Sequence, residues 1–127
     1  MIEKFDVQII RLKTGEDLIS FCYKDTNNGI IHLKYPKTFY ASFDTESDDE
    51  ELILMDWLPK QAYASQQIKF STKQILFVSL PTVNFGCEYL TSLMEYLDPE
   101  SDLSIKIKNT LGSMTSKKPI KDKSILH

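Results

Sequence analysis

Residues 17–35 decide the fold, and they read Asp-Leu-Ile-Ser-Phe-Cys-Tyr-Lys-Asp-Thr-Asn-Asn-Gly-Ile-Ile-His-Leu-Lys-Tyr. Apolar and polar residues alternate on both sides of the Asn-Asn-Gly step, which is typical of two antiparallel strands joined by a tight turn. A two-residue turn at Asn28-Gly29 would place Phe21 opposite Pro36. The sequence therefore favours a three-residue loop, 27–29, in which Gly29 takes the left-handed conformation.

This loop predicts the register of the hairpin. The predicted opposite pairs are Thr26 with Ile30, Tyr23 with Leu33, and Phe21 with Tyr35. One face of the hairpin then becomes apolar: Ile19, Phe21, Tyr23, Ile31, Leu33 and Tyr35. The other face becomes polar, with Cys22 and His32 diagonally across from each other. A slip of one residue would destroy this segregation, so turn chemistry and pattern agree on the register.

Further strands are predicted on both sides of the hairpin. Residues 6–13 form a β-rich run before it, and residues 37–43 continue the second strand past Pro36. Residues 52–58 are apolar on both parities, which predicts a buried strand. Residues 74–80 form a last strong strand, which Pro81 ends. The expected fold class is mainly β with an antiparallel sheet.

After Pro81 the period of the sequence changes. Phe85, Tyr89, Leu93 and Leu97 recur every four residues, which predicts an amphipathic helix. Asn84 is the predicted N-cap, and Asp98-Pro99 is expected to end the helix. Residues 103–111 fit either a strand or a second helix. From Gly112 onward the pattern is lost, so we expect one domain over residues 1–111 and a basic, disordered tail over 112–127.

Composition and charge exclude several classes of protein. The 127 residues suffice for one domain, and no stretch is apolar for the roughly 20 residues that a membrane span needs. The start lacks the pattern of a signal peptide, and two cysteines without an export context indicate reduced thiols, so a cytoplasmic protein is expected. The net charge of −3 argues against general affinity for nucleic acids, although without the six acids within residues 44–51 the net charge would be +3.

Two stretches resemble the two sequence signatures of the Sm-like family, which includes Sm, LSm and Hfq-type proteins. Residues 12–19, Leu-Lys-Thr-Gly-Glu-Asp-Leu-Ile, look like the opening of the first signature. Residues 68–81 look like the second, and their ending, Ile-Leu-Phe-Val-Ser-Leu-Pro, is its closest part. The general impression is of a remote member from a phage. The resemblance implies a strongly bent five-stranded barrel, here with a C-terminal helix, and end strands that pair between subunits to close a homo-oligomeric ring.

The resemblance also implies a function, which is the binding of short single-stranded RNA. The candidate residues are Asn27 and Asn28, which are offset by a residue or two from the family's positions, and Lys73, which lies one position after them in the second signature. The chain departs from the family where Ser71-Thr72 replaces an Arg-Gly pair of the RNA pocket. The alternative is therefore an oligomeric scaffold for protein assembly that has lost RNA binding. Exposed asparagine and lysine residues are also ordinary turn and surface residues, which keeps both interpretations open.

No pattern of catalytic residues is present in the sequence. Cys22 and His32 lack an orienting third group, and no group of cysteines and histidines has zinc spacing. No glycine motif that cradles phosphate occurs. We therefore expect no enzymatic activity, cofactor, metal or small-molecule substrate. The aromatic residues Tyr23, Tyr35, Phe39 and Phe77 are interpreted as core residues rather than platforms on which bases stack.

Overall fold

The computed structural model describes residues 5–47, 49–95 and 97–125, with side chains as far as Ser113. The strands, as β1 to β6, are Asp6–Leu12, Asp17–Asp25, Ile30–Asp44, Asp49–Asp56, Gln67–Ser71 and Ile75–Ser79, and a 3-10 turn spans Thr72–Gln74. The helices are α1, Val83–Leu93, and α2, Asp102–Ile125. The chain divides between Pro81 and Thr82 into two compact units, a sheet unit and a helical unit.

The six strands form one antiparallel sheet in the order β4-β3-β2-β1-β6, and β5 also pairs with β3. The long strand β3 has two partners along one edge, because β5 pairs with residues 30–34 and β4 pairs with residues 37–44. The mainly β, antiparallel prediction is confirmed. The sheet has six strands rather than five, since residues 49–56 add a strand that the predicted five did not require, and the sheet is not closed.

One core cluster holds the sheet unit together. Its buried members are Ile10, Leu12, Leu18, Cys22, Ile31 and Leu33. Ile68 and Phe70 of β5 pack against this cluster, and so do Ile75 and Val78 of β6. Because β5 and β6 lie toward opposite ends of the sheet yet contact the same cluster, the sheet must curve around it.

The predicted register of the β2–β3 hairpin is wrong by one residue. Asp25 lies opposite Ile30, Cys22 opposite Leu33, and Phe21 opposite Lys34. The loop has four residues, 26–29, because the backbone N–H groups of Asn28 and Gly29 donate to the carbonyls of Asp25 and Thr26. Leu33 and Ile31 consequently share a face with Cys22, inside the core. His32 lies opposite Tyr23, so Cys22 and His32 are on opposite faces rather than on one polar face.

The prediction of a buried strand over residues 52–58 is also wrong in its burial. β4 is a strand, but most of its side chains are exposed or half-buried. The reason is topological: most of β4 pairs with the part of β3 that runs on past the end of β2. The predicted continuation of β3 past Pro36 is confirmed, since one strand runs from Ile30 to Asp44.

A sharp bend in β3 at Tyr35 and Pro36 separates its two partners. Tyr35 has a φ of 55°, the left-handed region that a non-glycine residue rarely adopts, and its N–H donates to the carbonyl of Gln66 at 2.7 Å. The β2–β3 register shifts at this point. Ser20 of β2 lies at this register shift. Its hydroxyl oxygen is 2.9 Å from the carbonyl oxygens of both Phe21 and Lys34, and its side chain is fully buried.

The helical unit has an apolar face of its own. Phe85, Tyr89 and Leu93 are buried on α1, as the period of four residues predicts. The N-cap is Thr82 rather than Asn84, since the Thr82 hydroxyl accepts from the N–H of Phe85 at 3.2 Å. α1 ends at Leu93, short of the predicted stop at Asp98-Pro99.

The segment that the sequence left open, residues 103–111, is part of helix α2. Leu103 and Ile107 are buried, in keeping with the helical spacing. The prediction of a disordered tail stays a prediction, because side chains beyond Ser113 lie outside those that the structure describes. Among the described residues, no helix is both long enough and apolar enough to cross a membrane.

Candidate functional site

The two segments that carry the predicted site residues lie side by side. The 3-10 turn follows β5, and the β2–β3 turn precedes β3, which pairs with β5 so that Ile30 lies opposite Ser71. The N–H of Thr72 donates to the carbonyl of Gly29 at 2.9 Å and joins the two turns directly. The structure therefore brings Asn27 and Asn28 into the neighbourhood of Lys73, although more than 40 residues separate them in the sequence.

The β2–β3 turn is fixed by its own side chains. The amide nitrogen of Asn28 donates to a carboxylate oxygen of Asp25 at 2.8 Å, and Gly29 has a φ of 65°. The side chain of Asn28 is thus engaged in turn chemistry, which was one of its two interpretations. Asn27 is exposed at the tip of the turn.

The 3-10 turn carries a positive charge at its surface. The hydroxyl of Ser71 accepts from the N–H of Lys73 at 3.1 Å and caps the turn. The side chain of Lys73 is exposed. Ser71-Thr72 therefore shape the backbone of this turn and supply hydroxyl groups, while Lys73 supplies the charge.

A shallow depression opens between the two turns and β6. Its lining residues are Lys24, Thr26, Gly29, Thr72, Ile75, Leu76, Phe77 and Val78. Asn27, Asn28 and Lys73 are next in sequence to the lining residues Thr26, Gly29 and Thr72 but are not themselves among them. Lys24 and Thr72 were missed as site residues. The alternation of β2 had placed Lys24 on a polar face, but only the pairing of β5 with β3 shows that it lies beside the second turn.

None of the four aromatic residues assigned to the core is fully buried: Tyr23, Tyr35 and Phe39 are half-buried, and Phe77 departs furthest from the prediction. Its side chain is 45% exposed in the depression, and the guanidinium carbon of Arg11 lies 5.3 Å from the centre of its ring. Arg11 is held in place by two hydrogen bonds to the carboxylate of Asp17, at 2.6 and 2.7 Å. A cation held over one face leaves the ring a fixed, partly accessible aromatic surface. Tyr23, by contrast, is half-buried and stacks on His32 with ring centroids 5.7 Å apart.

The nucleophilic and metal-binding candidates do not converge. Cys22 and His32 lie on opposite faces of the hairpin, so no hydrogen bond can form between them across it. Among the described residues, no group of three or more histidine, cysteine, aspartate or glutamate side chains could hold a metal ion. The chemistry that the depression offers is therefore positive charge, hydroxyl groups, exposed backbone and one aromatic ring.

Cys22 is expected to resist alkylation in the folded protein. Burial raises the pKa of its thiol from 9.0 to about 11, and the thiolate is the reactive form. Iodoacetamide at pH 8 should modify the half-buried Cys87 first and leave Cys22 unmodified until the protein unfolds, as mass spectrometry of the digested protein would show. Equal labelling of both cysteines in the folded protein would contradict the placement of Cys22.

The same shift has a consequence for stability. The folded state holds the Cys22 proton more tightly than the unfolded state does. This contribution is complete below pH 9 and is lost as the pH rises toward 11, so the free energy of unfolding should fall over that interval.

The sequence of the whole chain was compared with known proteins. A scan against models of protein families found no family that matches, and a search of curated proteins found no similar sequence.

Proposed function

We propose that this chain is a non-enzymatic, Sm-like subunit that assembles into a homo-oligomeric ring and binds short single-stranded RNA at the depression. One observation carries the proposal. A single 3-10 turn, Thr72–Gln74, takes the chain from β5, which pairs with β3, to β6, which pairs with β1 at the other end of the sheet. A curved sheet with its last two strands on opposite ends is the arrangement that the family resemblance implies.

The free edges of β5 and β6 support assembly. Within the described residues each of these strands has one partner, so each presents one row of unpaired backbone groups. β6 also exposes Leu76 and Phe77, at 59% and 45%. An apolar edge of this kind is prone to pair with another chain, and pairing of β6 in one copy with β5 in the next would satisfy both edges.

The content of the depression supports RNA as the ligand. Lys24 lines it and the exposed Lys73 follows the lining residue Thr72, so both can supply positive charge for phosphate groups. The exposed ring of Phe77 offers a surface on which a base can stack, and the hydroxyl of Thr72 and the amide of Asn27 are hydrogen-bonding groups for base edges. Repetition of the site around a ring would give one strand of RNA several weak contacts at once.

RNA binding is tested on a ring whose mass has first been verified by light scattering, with absorbance read at 260 and 280 nm to detect bound nucleic acid. Fluorescent oligouridylate and oligoadenylate are the probes, at low salt. Replacing Lys24 and Lys73 together with alanine should weaken binding about tenfold and reduce the salt dependence, because each lost phosphate contact lowers the slope by about 0.7. The matched control is Lys108→Ala, which removes an exposed lysine of α2 and should change neither quantity.

A verified ring that binds neither oligonucleotide at low salt would end the RNA proposal. The second candidate would then stand: an oligomeric scaffold for protein assembly without RNA binding. Two observations favour it. The side-chain amide of Asn28 already donates to Asp25, and Ser71-Thr72 replace the Arg-Gly pair of the family. The scaffold predicts an oligomer that is indifferent to nucleic acid in both experiments.

A further inference from the structure

β3 and β4 continue beyond the body of the sheet as a two-stranded arm. β2 ends its pairing with β3 at Thr38, whereas β4 pairs with β3 as far as Asp44. Residues 39–44 and 49–54, defined here as the arm, therefore have no third strand within the described part of the chain. At ~3.4 Å per residue, six residues extend about 20 Å. A two-stranded ribbon has few packing contacts of its own, so a partner that covers the arm would stabilise it.

One face of the arm is mainly apolar, and the other mixes Tyr40 and Ile53 with Ser42, Asp44, Asp49 and Glu51. Facing pairs on one side include Phe39 with Leu54 and Ala41 with Leu52, while Tyr40 faces Ile53 on the other. Tyr40 and Phe43 are 51% and 56% exposed, and Met55 at the base is 49% exposed. Exposed apolar side chains next to one another offer contact area to a partner.

The charge at the tip of the arm indicates what charge a partner would carry. Residues 44–51 contain six acids, and no lysine or arginine occurs from residue 38 to 59. Within the described residues, none of the tip acids forms an ion pair. Hydrogen bonds from the backbone of Glu46 and the hydroxyl of Ser47 lower the pKa of Asp44 further, which keeps it ionised. A basic partner with apolar residues complements this surface, and RNA, which is an anion, does not.

The chain itself contains a segment of that chemistry. Residues 112–127 carry Lys117, Lys118, Lys121 and Lys123 against a single acid, Asp122, and Ile120 and Ile125 lie among the lysines. The backbone of helix α2 continues through Lys117, ten residues past the buried Ile107.

We propose that the acidic arm of one copy binds the basic C-terminal segment of a second copy. The lysines neutralise the tip acids, and the isoleucines of the segment cover apolar surface of the arm. The contact goes beyond the proposed function, since it needs neither paired sheet edges nor bound RNA. A subunit that lacked the arm could not make this contact.

Carbodiimide cross-linking of the full chain tests this contact, because it joins a carboxylate to a lysine only when the two touch. Nuclease-treated protein with natural isotopes is mixed with an equal amount of protein labelled with nitrogen-15, and native mass spectrometry confirms that subunits have exchanged. We expect cross-links between the acids of residues 44–51 and Lys117, Lys118 or Lys121, about half of them joining a light peptide to a heavy one. Cross-links only between peptides of the same isotope, or none between these segments, would overturn the proposal.

Charge reversal separates a specific contact from a random encounter. Glu50→Lys with Glu51→Lys should reduce the mixed-isotope cross-links at the arm at least about fivefold, because two of the six tip carboxylates are lost and the two new lysines repel those of the segment. Adding Lys117→Glu and Lys118→Glu to that variant should restore them, now with the roles of the two segments exchanged. The matched control reverses two exposed acids outside the arm, Glu88→Lys with Glu100→Lys, and should leave the yield unchanged. Failure of the fourfold variant to recover, while its circular dichroism stays native, would count against the contact.

Discussion

Replacing Ser20 with leucine is expected to lower the free energy of unfolding by about 2–5 kcal/mol, a large part of the stability of a domain of this size. Ser20 is fully buried at the bend of β3, where the β2–β3 register shifts. Its hydroxyl hydrogen is shared between the carbonyls of Phe21 and Lys34. Leucine would remove that donor and force a larger side chain into a filled space.

Urea unfolding followed by circular dichroism and tryptophan fluorescence would measure this loss, since Trp57 packs against the core cluster. Ser20→Ala should cost only about 1 kcal/mol, because it removes the hydrogen bond and adds no volume. Ser42→Leu is the control, as the same substitution at an exposed strand position should change stability by no more than about 0.5 kcal/mol. Equal effects of leucine at positions 20 and 42 would refute the account of the bend.

Replacing Leu76 with glutamate is expected to dissociate the proposed ring into monomers at micromolar concentration without unfolding the subunit. Leu76 is 59% exposed on β6, so the subunit loses little packing when it is changed. In an assembled ring the same position would be buried against the β5 edge of a neighbour, and a carboxylate there would be taken out of water without a partner. A loss of at least 3 kcal/mol per interface, about a hundredfold in dissociation constant, follows from removing one side of such a contact.

Light scattering across a dilution series would give the mass of each variant. Tyr63→Glu is the matched control, because Tyr63 is 50% exposed in the loop after β4 and lies outside both free edges. It should leave the mass of the oligomer unchanged. A monomer for the unsubstituted chain, or an oligomer indifferent to Leu76→Glu, would show that the free edges are not the interface.

Much of the architecture could be predicted from local pattern alone. The strands of the hairpin, the continuation of β3 past Pro36 and the buried face of α1 all follow from periodicity, which reports what a segment does with its own side chains. The register did not follow. It depends on a hydrogen bond between the side chains of Asn28 and Asp25 and on a fourth loop residue. The predicted three-residue loop and the observed four-residue loop both place Gly29 in the left-handed conformation, so that conformation does not distinguish them.

The exposure of β4 was beyond local pattern for a different reason. Residues 52–55 are apolar on both parities, which usually indicates neighbours on both sides. Burial depends on how far β2 extends, and nothing within residues 49–56 encodes that. Only part of the candidate site could be predicted, because strand pairing decides which residues meet there. Asn27, Asn28 and Lys73 could be named from the resemblance, whereas Lys24 and Thr72 join the site only through the pairing of β5 with β3.

The turn that fixes the register also limits how long the molecule can stay intact. An asparagine followed by glycine is the sequence in which the side-chain amide is lost most readily, because the glycine nitrogen attacks it with little hindrance. At Asn28 the attack releases ammonia and forms a cyclic imide, which water opens to aspartate or isoaspartate, so a carboxylate replaces the amide that now donates to Asp25 at 2.8 Å. Two carboxylates cannot both stay ionised at that distance without strain. Deamidation of the hairpin therefore accumulates with time, and aged protein should lose order first at the turn between β2 and β3.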